Sequence, residues 1–455
     1  MKIVIIGGGK VGFTIAEQLT KEGHDIIVVD NDRQVVNNIS ESLDVMAVCG
    51  NGASVTVMRE AEVGSSDLLI ACTAQDELNM LCCVFAKKLG CQSTIARVRT
   101  PEYAEQMLYL QSELGLSMTI NPELQAAREI FRLLELPGVL KRDSFAKGRV
   151  EIVEIVPKAG DILDGTRLYE LPKKLKCRAL VGAVQRGREV FIPDGNFTLR
   201  EGDRVYLCAP AMDIVRILQT IGENKKRARN VMLIGGSRIC DYLTPMLLKA
   251  GAKVKIIEQN PPKAAAIAER YPAATVVCED GSNQAVLNSE HAEQMDAVAL
   301  LTNIDEENLI LAMYMSHIGV PQVISKVNHT EFASFIAEQG VNRIVSPKKI
   351  CADVIIRYVR AMQNTEGSSV LALHHLVDGK AAALEFIVTK KCKYLGKPLM
   401  EKHLKPNILI ASISRFGRII VPGGSDTIEE GDTVVVITSS DRVILDLNDI
   451  FEPEV

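Results

Sequence analysis

Hydrophobic residues in the first part of the chain fall into strand-length runs separated by helix-period segments. Lys2 to Ile6, Ile26 to Val29, Val45 to Val48, Leu68 to Ala71 and Thr94 to Val98 read as strands. Between them Val11, Ile15, Ala16 and Leu19, and later Leu78, Leu81, Val84 and Phe85, recur along one helix face. Strands alternating with helices predict a parallel sheet covered on both faces. A longer helix from Pro122 to Leu136 closes this region, and Pro137-Gly138 stops it. After Gly148 the strands shorten and turn signals multiply, as in Glu151 to Val156, Arg178 to Val184 and Asp203 to Cys208, which predicts a small α+β domain.

The pattern then recurs. Ile5 to Gly12 (IIGGGKVG) is echoed by Leu233 to Cys240 (LIGGSRIC), an offset of 228 from Gly7 to Gly235, and Asp30 meets Glu258 at the same offset. At an offset of 229, Asp67 to Thr73 (DLLIACT) meets Asp296 to Thr302 (DAVALLT), and Asp76, Glu77 and Asn79 meet Asp305, Glu306 and Asn308. Near the ends, Ile192-Pro193, Gly202-Asp203 and Val205 meet Val421-Pro422, Gly431-Asp432 and Val434. The chain is a duplication. The expected domains are 1–137, 138–222, 223–366 and 367–455, with the two copies meeting in the polar stretch 222–230.

Composition excludes several classes. The 455 residues are 47% hydrophobic and 24% charged, as in globular proteins, with no run of about 20 apolar residues to span a membrane. The opening MKIVIIGGGK is too short in its apolar part for a signal sequence, so a cytoplasmic location is expected. Eleven cysteines without a C-x-x-C spacing fit a reducing compartment, each as a small buried hydrophobe. A net charge of -5 argues against nucleic acid as a partner. The run Lys225, Lys226, Arg227, Arg229 reads as a solvated linker.

The candidate chemistry lies in the glycine loop. Gly7, Gly8, Gly9, Lys10, Val11 and Gly12 form a G-x-G-x-x-G that follows a strand, opens a helix and is trailed by Asp30. Gly7 suits the tight turn, Gly9 lets backbone amides approach a pyrophosphate, and Gly12 lets helix pack on strand. The helix N-terminus adds partial positive charge. Asp30 is placed to accept from a ribose diol and would repel a 2'-phosphate, which disfavours NADP. The second loop, Gly235, Gly236, Ser237, Arg238, Ile239 and Cys240, keeps the turn glycine but has side chains at the close-approach and packing positions. With Glu258 in the ribose position, it predicts a weaker or altered site, suited to a mononucleotide, or an empty pocket. Thr73 and Thr302 end the fourth strands and precede acid-rich helix starts, where they could cap the next helix, and Thr73 could also touch a nucleotide. Arg97 and its counterpart Lys326 could pair with phosphate or form surface salt bridges.

A hydride-transferring enzyme needs a proton-moving group against the nicotinamide. The first copy has one histidine, His24, at the edge away from the crevice, and His374-His375 sit on a predicted strand. No acid-base pair, metal constellation, Walker A, H-E-x-x-H or G-x-S-x-G is visible. An NAD-dependent oxidoreductase is the alternative, and a redox-sensing DNA regulator the third reading; weight shifts to a non-catalytic sensing role.

The loop, Asp30, Thr73 and Arg97, together with the doubled Rossmann-like unit and its small α+β lobe, resemble the RCK family of potassium-transport regulators, in particular the tandem-RCK subunits of Trk uptake systems. The resemblance implies an α/β fold of two Rossmann-like parallel-sheet domains, each followed by a small α+β domain. It implies a nucleotide-gated regulatory subunit on the inner face of the cell membrane, assembled as a homotetrameric gating ring on a TrkH-like membrane potassium transporter. The implied ligands are NAD(H) or ATP/ADP, held by Gly7 to Gly12, Asp30, Thr73, Ala74 and Arg97. The lobes around Gly202-Asp203 and Gly431-Asp432 become candidates for further ligand or subunit contacts, or plain packing modules.

Overall fold

The computed structural model describes residues 1–111, 113–135, 141–221, 228–328, 343–364, 370–377, 380–439, 444 and 446–452. Pro137-Gly138 and Lys225 to Arg227 lie outside these residues. The described residues divide into two compact units, 1–132 with 228–356 and 133–227 with 357–455.

In the first unit, β1 (Lys2–Ile6), α1 (Lys10–Lys21), β2 (Asp25–Asp30), α2 (Arg33–Ser42), β3 (Met46–Cys49), α3 (Val55–Glu60), β4 (Leu68–Ala71), α4 (Asp76–Leu89), β5 (Ser93–Arg97), α5 (Pro101–Leu110), β6 (Met118–Ile120) and α6 (Pro122–Glu135) follow one another. The sheet order is β3-β2-β1-β4-β5-β6, and every pair is parallel. Ile3, Val4 and Ile5 are wholly buried, as expected of a strand with helices on both faces. The strand order reverses between β1 and β4, so the crevice for a ligand lies above their carboxyl ends.

The second half of this unit repeats the order, with β12 (Asn230–Ile234), β13 (Lys253–Ile257), β14 (Thr275–Val277), β15 (Ala297–Leu300), β16 (Val323–Lys326) and β17 (Ile344–Val345) arranged β14-β13-β12-β15-β16-β17. The Arg238–Lys249 helix follows β12 as α1 follows β1.

In the other unit, each copy builds a five-stranded antiparallel sheet. The first contains β7 (Lys141–Phe145), β8 (Val150–Ile155), β9 (Leu180–Arg186), β10 (Glu189–Phe191) and β11 (Arg204–Pro210), in the order β10-β9-β11-β8-β7. The second contains β18 (Val370–Leu376), β19 (Ala381–Ile387), β20 (Ile408–Arg415), β21 (Arg418–Ile420) and β22 (Thr433–Ser439), ordered β18-β19-β22-β20-β21. Strand for strand, the two orders match.

Several expectations are corrected. The strands stand within about two residues of their expected bounds, but Thr73 and Thr302 lie two residues beyond β4 and β15 rather than ending them. Neither caps a helix, since Gln75 and Ile304 occupy the cap positions. Cys49 and Cys278 are exposed and Cys177 is half-buried. Cys49 ends β3 and Cys278 follows β14, the outermost strands, which have a neighbour on one side only. Asp203 and Asp432, each 1% exposed, serve the lobes internally. Each accepts a two-pronged Arg donor, Arg186 or Arg415, plus the backbone N–H of Arg200 or Glu429.

Candidate nucleotide cleft

The turn from β1 into α1 is shaped by what its glycines touch. Gly7 has φ +100°, and a Cβ there would stand 2.9 Å from the Thr73 nitrogen. At Gly12 a Cβ would stand 1.9 Å from the Gly7 carbonyl oxygen, so helix and turn pack without space for a methyl. Above Gly9 the space is open, with no atom within 4 Å of a built Cβ. The three glycines thus divide into two that the fold needs and one that leaves the backbone bare. No side chain caps α1, so its first-turn amides face the crevice with their partial positive charge.

Asp30 ties this loop to the end of β2. Its Oδ2 accepts from the Gly8 N–H at 2.6 Å and its Oδ1 from the Asp32 N–H at 2.9 Å. Each carboxylate oxygen has a second lone pair, so the group keeps the capacity to accept from a diol while positioning the loop.

Thr73 sits below this loop in a network that the sequence reading did not single out as functional. Its N–H and hydroxyl both donate to Asn79 Oδ1, at 2.8 and 2.7 Å, while the Asn79 amide donates to the Arg97 carbonyl at 2.9 Å. Wholly buried Asn79 therefore locks the β4–α4 turn to the end of β5. Its signal in the sequence was recurrence alone: Asn308 makes the same contacts with Thr302 and the Lys326 carbonyl. The Arg97 side chain pairs with Glu123 at 3.5 Å, both largely buried, rather than at the surface. Lys326 is 7% exposed and donates to the Thr302 carbonyl and the Asn303 amide oxygen; burial pulls its pKa down. Ala74 lends its carbonyl to Arg99.

Asp76 opens α4 and holds the chain after β5. Its Oδ2 accepts from the Arg99 N–H, the Thr100 N–H and the Thr100 hydroxyl, at 2.9, 2.8 and 2.8 Å. Burial works to raise its pKa, but these hydrogen bonds and Arg99 outweigh it and hold the group below its ordinary value. A depressed carboxylate stabilises the fold above its unfolded pKa, and that contribution disappears as pH falls through the folded value. Asp76→Asn is therefore expected to cost about 2 kcal/mol at pH 7, with the gap from the parent closing towards pH 3 in denaturant unfolding.

The two halves of this unit meet beside the crevice. The Tyr242 hydroxyl donates to the Arg99 carbonyl at 2.9 Å and accepts from the Asn121 amide at 2.8 Å, and burial pushes this phenol up to about 12. A cavity of about 1080 Å³ opens there. It is lined by Gly7, Gly9, Lys10, Val11, Asp30, Thr73, Ala74 and Arg97 from the first half, and by Gly236, Ser237, Arg238, Ile239, Lys326 and Lys348 from the second. The sequence reading divided these residues between two sites, whereas the structure brings both loops to one cavity. The side chains of Lys10, Arg238 and Lys348 make no ion pair or hydrogen bond with any described residue.

The second loop is built differently. Gly235 keeps the left-handed turn at φ +96°, but the Ser237 N–H donates to the Gly235 carbonyl at 2.9 Å. That amide is turned into the loop. The Ser237 hydroxyl oxygen is buried without a hydrogen-bond partner. Cys240, at the position of Gly12, is wholly buried, and its side chain lies against the Thr244 hydroxyl at 3.6 Å. Glu258 accepts from the Gly236 N–H at 2.9 Å, the Asn260 N–H at 2.9 Å and Lys263 Nζ at 2.9 Å. Burial raises its pKa, yet these donors outweigh it and hold the carboxylate low. An ion pair thus occupies the ribose-position acid here, where Asp30 has backbone donors alone.

The TrkA-N domain family matches residues 3–122 and 231–347, and the TrkA-C domain family residues 152–222 and 383–449. The chain is 29% identical over 443 residues to a Trk system potassium uptake protein TrkA homolog of Archaeoglobus fulgidus, covering 97% of this chain and 98% of that one. It is 29% identical over 462 residues to the Trk system potassium uptake protein TrkA of Haemophilus influenzae, covering 100% and 99%. Among solved structures, the RCK domain of GsuK superposes with a TM-score of 0.63 at 18% identity, covering 97% of this chain and 92% of that one. The GsuK channel bound to NAD gives 0.62 at 18% identity, covering 97% and 77%, and GsuK bound to ADP gives 0.51 at 14%, covering 79% and 69%. With both domain families matched twice over and the fold shared with RCK domains, this chain belongs to the TrkA-N and TrkA-C domain family.

Proposed function

We propose that this protein is a non-catalytic, nucleotide-sensing regulatory subunit of a membrane potassium uptake system. The observation that carries the reading is the bare backbone over Gly9, set between the Asp30 anchor and an unblocked helix N-terminus. This arrangement fits an adenosine ribose on Asp30 and a pyrophosphate at the first turn of α1. NAD(H), ADP and ATP share both features, and two GsuK structures hold NAD and ADP. The relatives named as Trk potassium uptake proteins supply the transport context. In the cell the chain would sit on the inner face of the membrane as a homotetramer on a TrkH-like transporter, with each copy of the duplication contributing one nucleotide-fold domain and one small lobe. The expected domains 1–137, 138–222, 223–366 and 367–455 are proposed as the working division.

A bound nucleotide would gate through the second half. Arg238 and Lys348 face the same cavity as Lys10, so anionic phosphates at the first loop draw charges from both halves towards one point. Such a ligand shifts the conformational equilibrium only by its differential affinity, and a hundredfold preference for one state supplies about 2.7 kcal/mol per site. Arg238→Glu is expected to weaken nucleotide binding about tenfold or more, with a shallower salt dependence, while leaving thermal stability unchanged. Calorimetry on the purified chain at two salt concentrations checks this. Potassium uptake in cells carrying the transporter, compared between the parent chain and Asp30→Ala, tests the whole reading; equal uptake at matched expression would defeat it.

A further inference from the structure

The two small lobes share one core. Phe145, Val150, Ile152, Tyr206 and Cys208 from the first pack with residues of the second that include Leu376, Ala383, Val435 and Ile437. Strand register identifies equivalent positions. Phe145 pairs with Val150, the first residue of β8, and Leu376 pairs with Ala381, the first residue of β19. Two residues back along the edge strands, Asp143 and His374 are therefore equivalents. They also touch each other: His374 Nδ1 lies 3.0 Å from Asp143 Oδ1. Equivalent positions in mutual contact lie on the axis relating the two lobes.

The hydrogen-bond roles at this axis are fixed. Arg357 Nη1 lies 3.3 Å from His374 Nε2, and arginine has donors only, so Nε2 accepts and the ring proton sits on Nδ1, donating to Asp143. Among the described residues, Arg357 from the preceding helix, Glu385 from β19 and Asp143 from β7 are charged groups near the ring. Pairing two first lobes in this way would place two carboxylates about 3 Å apart, acceptor against acceptor. Pairing two second lobes would set two Nδ1–H donors against each other with no acceptor between them. Only unlike lobes make the bond.

Volume repeats the rule. A Cβ at Gly182 on β9 would stand 2.0 Å from Ile437 Cδ1 of the other lobe, so the missing side chain makes room for the isoleucine. The register shifts in the two sheets place Gly182 and Ala411 at equivalent irregularities, and Cys208 and Ile437 at equivalent strand positions. Two second lobes would set the Ala411 Cβ against Ile437, and two first lobes would leave Gly182 opposite the smaller Cys208.

We infer that this lobe face is coded for its unlike partner: the first small lobe accepts the second and neither accepts its own kind. Copies of the chain that assemble would then join through other surfaces, because hydrogen-bond polarity refuses both like pairings, with a steric clash added for two second lobes and an unfilled gap for two first lobes. Lysine cross-linking of a mixture of light- and heavy-isotope chains tests this on the full-length protein. The expected result is first-to-second lobe links without light-to-heavy links between like lobes; like-lobe links would overturn the inference. A mutational cycle supplies a second reading. His374→Asp should lower the thermal midpoint by about 4 °C or more at pH 8 and by less at pH 5, where the crowded carboxylates share a proton. Asp143→His should lower it as well. The exchange Asp143→His/His374→Asp should recover more than half of the summed loss, and losses that simply add would overturn the polarity rule. Gly182→Ala should lower the midpoint and Ile437→Val should restore it in that background; a Gly182→Ala chain as stable as its parent would overturn the volume rule.

Discussion

Gly12→Ala and Gly9→Ala are expected to fail in opposite ways, although both add one methyl group to the same loop. At Gly12 the methyl would stand 1.9 Å from the Gly7 oxygen and 3.0 Å from the Cys72 sulfur. Backbone is on one side and a buried thiol, which donates to that same carbonyl at 3.2 Å, on the other, so neither yields cheaply. A loss of about 3 kcal/mol or more is expected, read as a fall in the denaturant midpoint without ligand. At Gly9 the methyl meets nothing, and φ -63° suits any residue. Stability should stay within about 0.5 kcal/mol of the parent, while nucleotide affinity falls about a hundredfold, or ~2.7 kcal/mol, because the methyl fills the space a phosphate must enter. A Gly9→Ala chain that binds NAD or ADP as the parent does would remove the cleft from the proposed mechanism.

The same loop shows what a sequence can disclose. Strands buried on both faces announce themselves as apolar runs, and the doubled register of glycines and acids gave the two-copy architecture without coordinates. The first loop was legible because its contacts are local or fall at a standard spacing, as from Gly8 to Asp30. The meeting of both loops in one cavity was not. It depends on Tyr242 reaching Asn121 and the Arg99 carbonyl, and a contact between residues so far apart leaves no periodicity in either segment. The role of Asn79 was visible only as an identity between copies, since a buried amide bridging two turns has no spacing rule of its own. Short edge strands such as β10 and β21 carry too few residues to show alternation. The Asp143–His374 contact was hidden for a further reason. The small lobes are offset by 231 residues over their first two strands and by 229 over the later ones, so aligning the copies at one offset conceals that these two residues are equivalent.

The second large effect concerns stoichiometry. Calorimetric titration with ADP or NAD is expected to give one nucleotide per chain, and Asp30→Ala to abolish that binding while Glu258→Ala leaves the count unchanged. Both acids anchor the glycine loop that precedes them, through Gly8 at 2.6 Å and Gly236 at 2.9 Å. They differ in what else they hold. Asp30 has one further backbone donor and lone pairs to spare, whereas Glu258 has a backbone donor and the ammonium of Lys263 at 2.9 Å. A ribose diol at Glu258 would have to displace or share that cation, and the phosphates beyond it would meet a loop whose Ser237 amide already serves the Gly235 carbonyl. Removing Asp30 takes away the proposed ribose acceptor and the carboxylate that accepts from the Gly8 N–H at once, so a loss of about a thousandfold, ~4 kcal/mol, is expected. Two equivalent sites per chain, or binding that survives Asp30→Ala and disappears with Glu258→Ala, would reverse the assignment of the working cradle to the first copy.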